Sequence, residues 1–261
     1  MYPEEVVQQA LELSRAGWTD REVARRCGVS IAAVRKWRYG TRRRRLDPAD
    51  PTSGDARFRR GCPRCFGREL DERCYAYLLG LYLGDGHLAR CRKGVYRLDI
   101  ACDDAYPGLI EEAAKAVGTV LPISRVGRRR KPGCTVVGSY SKHWPCLFPQ
   151  HGPGRKHERT IELADWQQKI VDEYTEELIR GLIHSDGCRG VNRVRRPVQG
   201  EERWYEYPRY YFTNESMDIQ RLFTDALDRL GIAWRQMNRK NVSVARREAV
   251  ARLDEFVGPK Y

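Results

Sequence analysis

The sequence predicts an α+β fold in two parts, a small all-α unit followed by a duplicated domain with pseudo-two-fold symmetry. Three observations predict it. Short, capped helical segments fill residues 4–40. A nine-residue, largely apolar segment ending in Asp-Gly occurs twice, at residues 78–86 and 179–187. Strand-like and helix-like stretches then follow each copy in the same order. With 261 residues, 41% of them hydrophobic, the chain can bury a core in each part. The expected boundaries are 1–40 for the helical unit, 41–68 for a basic linker, and 69–160 and 161–261 for the two repeats.

Charge narrows the class of partner. The chain carries 48 Lys+Arg against 35 Asp+Glu, a net of +13, and residues 1–68 hold +8 of that excess. Such a distribution fits a basic module bound to a polyanion. Of the 48 basic residues 39 are arginine. Arginine suits bidentate contacts to phosphate and guanine, and a GC-rich genome produces the same bias. No apolar run approaches the ~18–20 residues of a membrane span. Met1-Tyr2-Pro3-Glu4-Glu5 has neither the basic nor the apolar region of a secretory signal. The expectation is a soluble, cytoplasmic, nucleoid-associated protein of bacterial or phage origin with no membrane partner. Its nine cysteines are accordingly expected to be reduced.

In the helical unit, Val6, Val7, Ala10, Leu11 and Leu13 give the first helix an apolar stripe, and Gly17-Trp18 ends it. Thr19 and Glu22 form a capping box for a second helix, Asp20–Cys27, which stops at Gly28. Ser30 caps a third, Ile31–Tyr39. Small Ala24 at the helix crossing, Gly28 in the turn and β-branched Val34 beneath the last helix are the steric requirements of a helix-turn-helix. Gly17 to Ala24 together with Val34-Arg35-Lys36-Trp37 resembles the helix-turn-helix of transposases and site-specific recombinases. The recognition helix would offer Ser30, Ala32, Ala33, Arg35, Lys36 and Arg38 to the major groove and its phosphates. A plain three-helix bundle for protein contact is the competing assignment.

The linker contains Arg42-Arg43-Arg44-Arg45, then Asp47-Pro48, Asp50-Pro51 and Ser53-Gly54, too little apolar surface for a core. Cys62-Pro63-Arg64-Cys65 within it has the spacing of half a zinc site, so a structural Zn²⁺ at Cys62 and Cys65 competes with a simple turn of reduced cysteines.

The two copies of the apolar segment lie 101 residues apart and share four of nine positions. Strand-like 95–102, a helix near 107–117 and strand-like 134–140 follow the first. Strand-like 209–213, a helix near 216–230, strands at 232–237 and 242–245 and a helix at 246–257 follow the second. Each repeat closes on a Gly-Pro sequence and a lysine, Lys156 and Lys260. Each segment reads as a helix with small residues four apart, Gly80/Gly84 and Gly181/Ser185, a flat stripe along which another backbone can approach. Pairing the two helices places Asp85 and Asp186 together in their last turns, before Gly86 and Gly187. A carboxylate there faces the negative end of a helix dipole and another carboxylate, and both conflicts are relieved by a hard divalent cation such as Mg²⁺.

Leu78–Gly86 and Ile179–Gly187 resemble the two signature helices of the LAGLIDADG homing endonucleases in their single-chain, two-motif form. The resemblance covers residues 69–261. It implies a duplicated αββαββα fold with the motif helices at the interface and a saddle-shaped sheet in the DNA major groove. It also implies two or three Mg²⁺ ions shared between Asp85 and Asp186, with Gly84 and Ser185 contributing beside them. Asp85, Asp186, Lys156 and Lys260 become the candidate catalytic residues, acting on double-stranded DNA as a monomeric pseudo-dimer. The sequence departs from the family at the sixth motif position, where an acid is common and Leu83 and His184 stand here.

Gly127-Arg128-Arg129-Arg130-Lys131-Pro132-Gly133 reads as a basic hairpin tip for phosphate contact, with Arg235, Arg239 and Lys240 in the comparable stretch of the second repeat. Two functions compete on these residues. One is a Mg²⁺-dependent site-specific endonuclease making double-strand breaks. The other is a transcription regulator that binds DNA on the same scaffold without cutting. Facing carboxylates beside phosphate favour the first, and an added helix-turn-helix favours the second.

Overall fold

The computed structural model describes residues 2–39, 61–198 and 201–261. It divides into two compact units, Met1–Arg68 and Glu69–Tyr261. Most of the predicted linker, 41–60, lies outside the described residues.

The first unit contains α1 (Glu4–Arg15), α2 (Asp20–Arg26) and α3 (Ile31–Tyr39). Thr19 Oγ1 accepts the Glu22 amide while the Glu22 carboxylate accepts the Thr19 amide, the reciprocal cap expected from the sequence. Gly28 takes φ 65°, the left-handed conformation the turn demands. Val7, Ala10, Leu11, Val23, Ala24, Val34 and Trp37 form the core of this unit. A short helical turn, α4 (Pro63–Phe66), follows.

The second unit is built twice on one plan. Helix α5 (Glu72–Asp85) leads into β1 (Gly86–Arg90) and β2 (Tyr96–Asp103), then α6 (Pro107–Val120), β3 (Val126–Lys131), β4 (Cys134–Ser141) and a turn of helix α7 (Trp144–Leu147). After α8 (Asp165–Glu173), the plan recurs as α9 (Thr175–Asp186), β5 (Gly187–Val198), β6 (Glu201–Thr213), α10 (Met217–Arg229), β7 (Arg235–Asn238), β8 (Asn241–Val244) and α11 (Arg247–Asp254). Both sheets are antiparallel, with orders β1-β2-β4-β3 and β5-β6-β8-β7. Identical strand order in two segments 101 residues apart is what a duplicated αββαββα domain requires.

The period of two along each strand separates the sheet faces. Leu98, Ile100 and Cys102 of β2, and Tyr210 and Phe212 of β6, point into the core beneath the helices. Arg97, Asp99 and Ala101 therefore face the other way, as do Arg209 and Tyr211. The core itself centres on α5 and α9. Residues 75–83 of α5 are all buried, as expected of a helix apolar all round. A Cβ on Gly80 would lie 2.6 Å from the Leu178 carbonyl oxygen, and one on Gly181 would lie 2.2 Å from that of Tyr77. The predicted small-residue stripes are where the two backbones touch.

Two expectations are corrected. The basic run at 127–133 is not a tip: residues 126–131 are the edge strand β3, and only Pro132-Gly133, with Gly133 at φ 75°, makes the turn. Alternation splits its charges, so Arg128 pairs with Glu111 on α6 while Arg129 reaches Asp99 on the outer face. The second repeat also has a long hairpin that sequence reading missed, β5 pairing β6 from Gly187↔Phe212 to Val198↔Glu201. Among the described residues no helix is long and apolar enough to cross a membrane.

Candidate active site and nucleic-acid interface

The site forms where α5 and α9 end side by side. A Cβ on Gly84 would lie 2.1 Å from Ser185 Oγ and 3.0 Å from Asp186 Oδ2, so the second motif's carboxylate reaches over the first motif's helix. Asp85 and Asp186 sit at this shared edge, and the charge of Asp186 acts on Asp85. Protein walls around Asp85, and then Asp186, push its carboxyl up to about 6, against the pull of Lys156 and Lys260. Burial also raises Asp186, opposed first by an amide hydrogen bond that Asn214 Nδ2 donates to Oδ2 at 2.6 Å.

The two lysines converge on the same edge. Lys156 Nζ donates to the carbonyl oxygens of Tyr82, Leu83 and Gly84 at 2.6, 2.8 and 2.5 Å. Its three donors thus serve the last turn of the helix: the carbonyls of Leu83 and Gly84, which the helix leaves unpaired, and that of Tyr82, which also accepts the Gly86 amide. Lys260 stands at the end of the second helix, donating to Ser185 O at 3.3 Å and to Gly187 O, at the start of β5, at 2.6 Å. A cation at the negative end of each helix offsets the adverse placement of the aspartates. Burial lowers both ammonium groups, Lys156 to about 8, and the aspartates partly restore them. A cleft of about 300 Å³ reaches Lys156 past Tyr82, His87 and His151.

The donor set suits a hard cation. Two carboxylates with raised proton affinity stand together, the oxygen donors such a cation prefers. The backbone oxygens of Gly84 and Ser185 are here engaged by the lysines. In the metal-free protein Asp85 titrates in the folded state near 6 and in the unfolded chain near 3.8. The Asp85 contribution to stability is therefore expected to fall as pH rises from about 4 to 6, across the range in which buried His184, lowered to about 4, contributes in the opposite direction. Because Asp85 is open to solvent on one side, the change is on the order of 1 kcal/mol. Thermal melts of wild type and Asp85→Asn with EDTA across that range check this, the wild type losing stability relative to the variant as pH rises.

His184, the departure in the second motif, is a core residue. Its Nδ1 lies 3.0 Å from Tyr77 Oη and its Nε2 2.9 Å from the Val257 carbonyl. Burial lowers its imidazole to about 4, so it stays neutral and ties both motif helices to the chain's last turn.

Around this edge lie the outer sheet faces. Asp99 Oδ2 accepts from Arg97 at 2.8 Å and Arg129 at 3.3 Å, fixing two guanidiniums on the first sheet. Arg130 and Lys131 continue that edge strand in exposed positions. On the second sheet Arg209 and Arg235 line a cleft of about 340 Å³ with Met237, Ser243 and Ala245. Arg239 and Lys240 turn instead to Glu215. The long hairpin adds Arg193, Arg195, Arg203 and Trp204, the last 65% exposed. Tyr205 and Tyr207 stack on each other there, whereas Tyr210 is buried with its hydroxyl on Asp254.

In the first unit, Ser30 Oγ accepts the Ala33 amide at 3.1 Å and so serves as a helix cap. Arg35 and Arg38 are paired with Asp20 at 3.3 and 2.9 Å. Ala32 and Lys36 are exposed and Ala33 is half-buried. Cys62 Sγ accepts the Cys65 amide at 3.4 Å, and Gly67 at φ 67° ends the turn. In the second unit His143 and Cys146 form another pair with the same spacing, Nδ1 3.9 Å from Sγ. No disulfide joins any of the nine cysteines.

Sequence reading missed Asn214, a polar loop residue with no periodicity to mark it, and Tyr261, which docks on the first repeat.

Residues 2–48 match the homeodomain-like domain family. No curated protein matches the chain. Among solved structures, the chain is similar to the homing endonuclease I-DmoI in complex with DNA and manganese. Identity is 14%, covering 73% of this chain and 99% of that one, with a TM-score of 0.47. It is also similar to the LAGLIDADG meganuclease I-AabMI bound to uncleaved DNA, at 9% identity over 70% of this chain and 82% of that one, TM-score 0.46. A third similarity is to the N-terminal LAGLIDADG domain of DUF199/WhiA, at 11% identity over 73% and 83%, TM-score 0.44.

Proposed function

We propose that the protein is a Mg²⁺-dependent, site-specific endonuclease of double-stranded DNA, a single chain whose two repeats each address one strand. The observation that carries this reading is the convergence of Asp85, Asp186, Lys156 and Lys260 at the adjoining ends of two paired helices. Bound Mg²⁺ would neutralise phosphate oxygens and acidify a water. The chain's own residues supply the rest. Asp85 and Asp186 hold the cation from the two motifs, and Asn214 fixes the rotamer of Asp186. Lys156 and Lys260 stand ready to offset charge that develops on the phosphate. Arg97, Arg129, Arg209 and Arg235 project from the outer sheet faces, where phosphate and base edges would lie.

The helix-turn-helix supports a second reading. With residues 2–48 matching a homeodomain-like family, sequence recognition is supplied without the repeats, as a regulator would need. Incubating DNA that carries the gene's flanking sequence with protein and Mg²⁺ separates the two. Metal-dependent linear product supports the endonuclease. Salt-sensitive binding without cutting supports the regulator.

Cys62 and Cys65 are further proposed to supply two of the four ligands that a structural Zn²⁺ takes. Purified full-length protein is expected to carry zinc, and Cys62→Ser and Cys65→Ser are each expected to lower its content. Zinc-free wild-type protein with an intact melting transition would withdraw the assignment.

A further inference from the structure

The segment after α11 is held at three points. His184 Nε2 meets the Val257 carbonyl at 2.9 Å, and Lys260 Nζ meets Gly187 O at 2.6 Å. The third point lies on the other repeat. The main-chain carbonyl oxygen of Tyr261 accepts from the Gly108 amide at 2.7 Å, and its hydroxyl donates to Glu112 at 2.9 Å. Both partners belong to α6. The Tyr261 ring also lies where Gly108 has no side chain: a Cβ there would stand 2.0 Å from the ring.

This makes the two lysines unequal. Lys156 uses all three donors on one helix end, and the chain beyond it runs on into α8. Lys260 has two carbonyl partners, one of them at 3.3 Å, and the residue beside it is docked on the opposite repeat. We propose that Tyr261 is a positioning residue for Lys260: by seating on Gly108 and Glu112 it holds the ammonium at the end of α9 only while the two repeats are closed on each other. The inference rests on the endonuclease reading for its effect on cleavage, but not for its effect on Lys260.

Two measurements on the full chain test it. The first is acetylation of lysines by N-hydroxysuccinimidyl acetate, read by peptide mass spectrometry. Tyr261→Ala and Gly108→Ala should each speed labelling of Lys260 about 10-fold and leave Lys156 unchanged, because local release exposes an amine that is otherwise engaged. Tyr261→Phe, which keeps the ring and the carbonyl contact, should restore protection. Lys260 labelling unchanged in both alanine variants would overturn the proposal. The second is the time course on supercoiled DNA. The alanine variants should accumulate nicked circles, with one cut slowed about 10-fold and the other within about 2-fold of wild type. Equal slowing of both cuts would show a general loss of fold and overturn the proposal. If wild type makes no cut, the endonuclease reading fails, and the labelling result still decides whether Tyr261 holds Lys260.

Discussion

Gly181→Ala is expected to destabilise the second unit by about 3 kcal/mol, and Gly80→Ala by a similar amount. The cause is local and steric. A methyl group on Gly181 would stand 2.2 Å from the Tyr77 carbonyl oxygen and 3.0 Å from Gly80 Cα. Both obstacles are backbone of an internally hydrogen-bonded helix, so neither can swing aside as a side chain would. Relief requires moving the helices apart, which loosens the core that Leu178, Ile179, Leu182 and Ile183 share with α5. A thermal melt should show the midpoint reduced by roughly 10 °C. The same displacement separates the ends of α5 and α9, so surviving folded protein should also bind Mg²⁺ more weakly. Gly133→Ala is the contrast, since nothing lies within 4 Å of its added methyl and its cost comes only from φ 75°.

Asp85→Asn and Asp186→Asn are expected to lower cleavage at least ~100-fold, the order seen when a group opposing transition-state charge is lost. Asparagine keeps the volume and one oxygen of each side chain, so the Asn214 amide still finds an acceptor at position 186. Removing one of two neighbouring carboxylates also relieves the repulsion that raises Asp85. The fold should therefore hold and DNA affinity should stay within about 3-fold, moving toward tighter binding as negative charge leaves a phosphate-facing edge. Filter binding or anisotropy with the uncut duplex in EDTA checks affinity independently of turnover.

The parts of this site that sequence makes legible are those written locally. Gly80, Gly84, Gly181 and Ser185 repeat at helical spacing, so the close approach of two helices can be read from the chain alone, and the pairing of Asp85 with Asp186 follows from it. Lys156 and Lys260 emerge from matching the ends of the repeats, but their partners do not: donation to helix-end carbonyls depends on where a distant segment returns. Asn214 and Tyr261 are illegible for the same reason, each acting across 28 or more residues. Strand reading fails where charge replaces apolar alternation. Four of residues 126–131 are basic in one unbroken run, and residues 191–198 carry arginine on both faces, so neither shows a period of two despite full backbone pairing. His184 illustrates the converse. It stands at the sixth position of the second motif, where the first has Leu83, and only its surroundings in the fold reveal a neutral imidazole bridging Tyr77 and Val257.

The most direct measurement is cleavage of supercoiled DNA carrying the gene's own flanking sequence, with Mg²⁺ and with EDTA, by wild type, Asp85→Asn and Asp186→Asn. Linear product from wild type in Mg²⁺, none in EDTA and none from either variant is the predicted result. Cleavage unchanged in both variants would contradict the placement of the site at the paired helix ends, and tight binding of that DNA without any cut would contradict the nuclease itself.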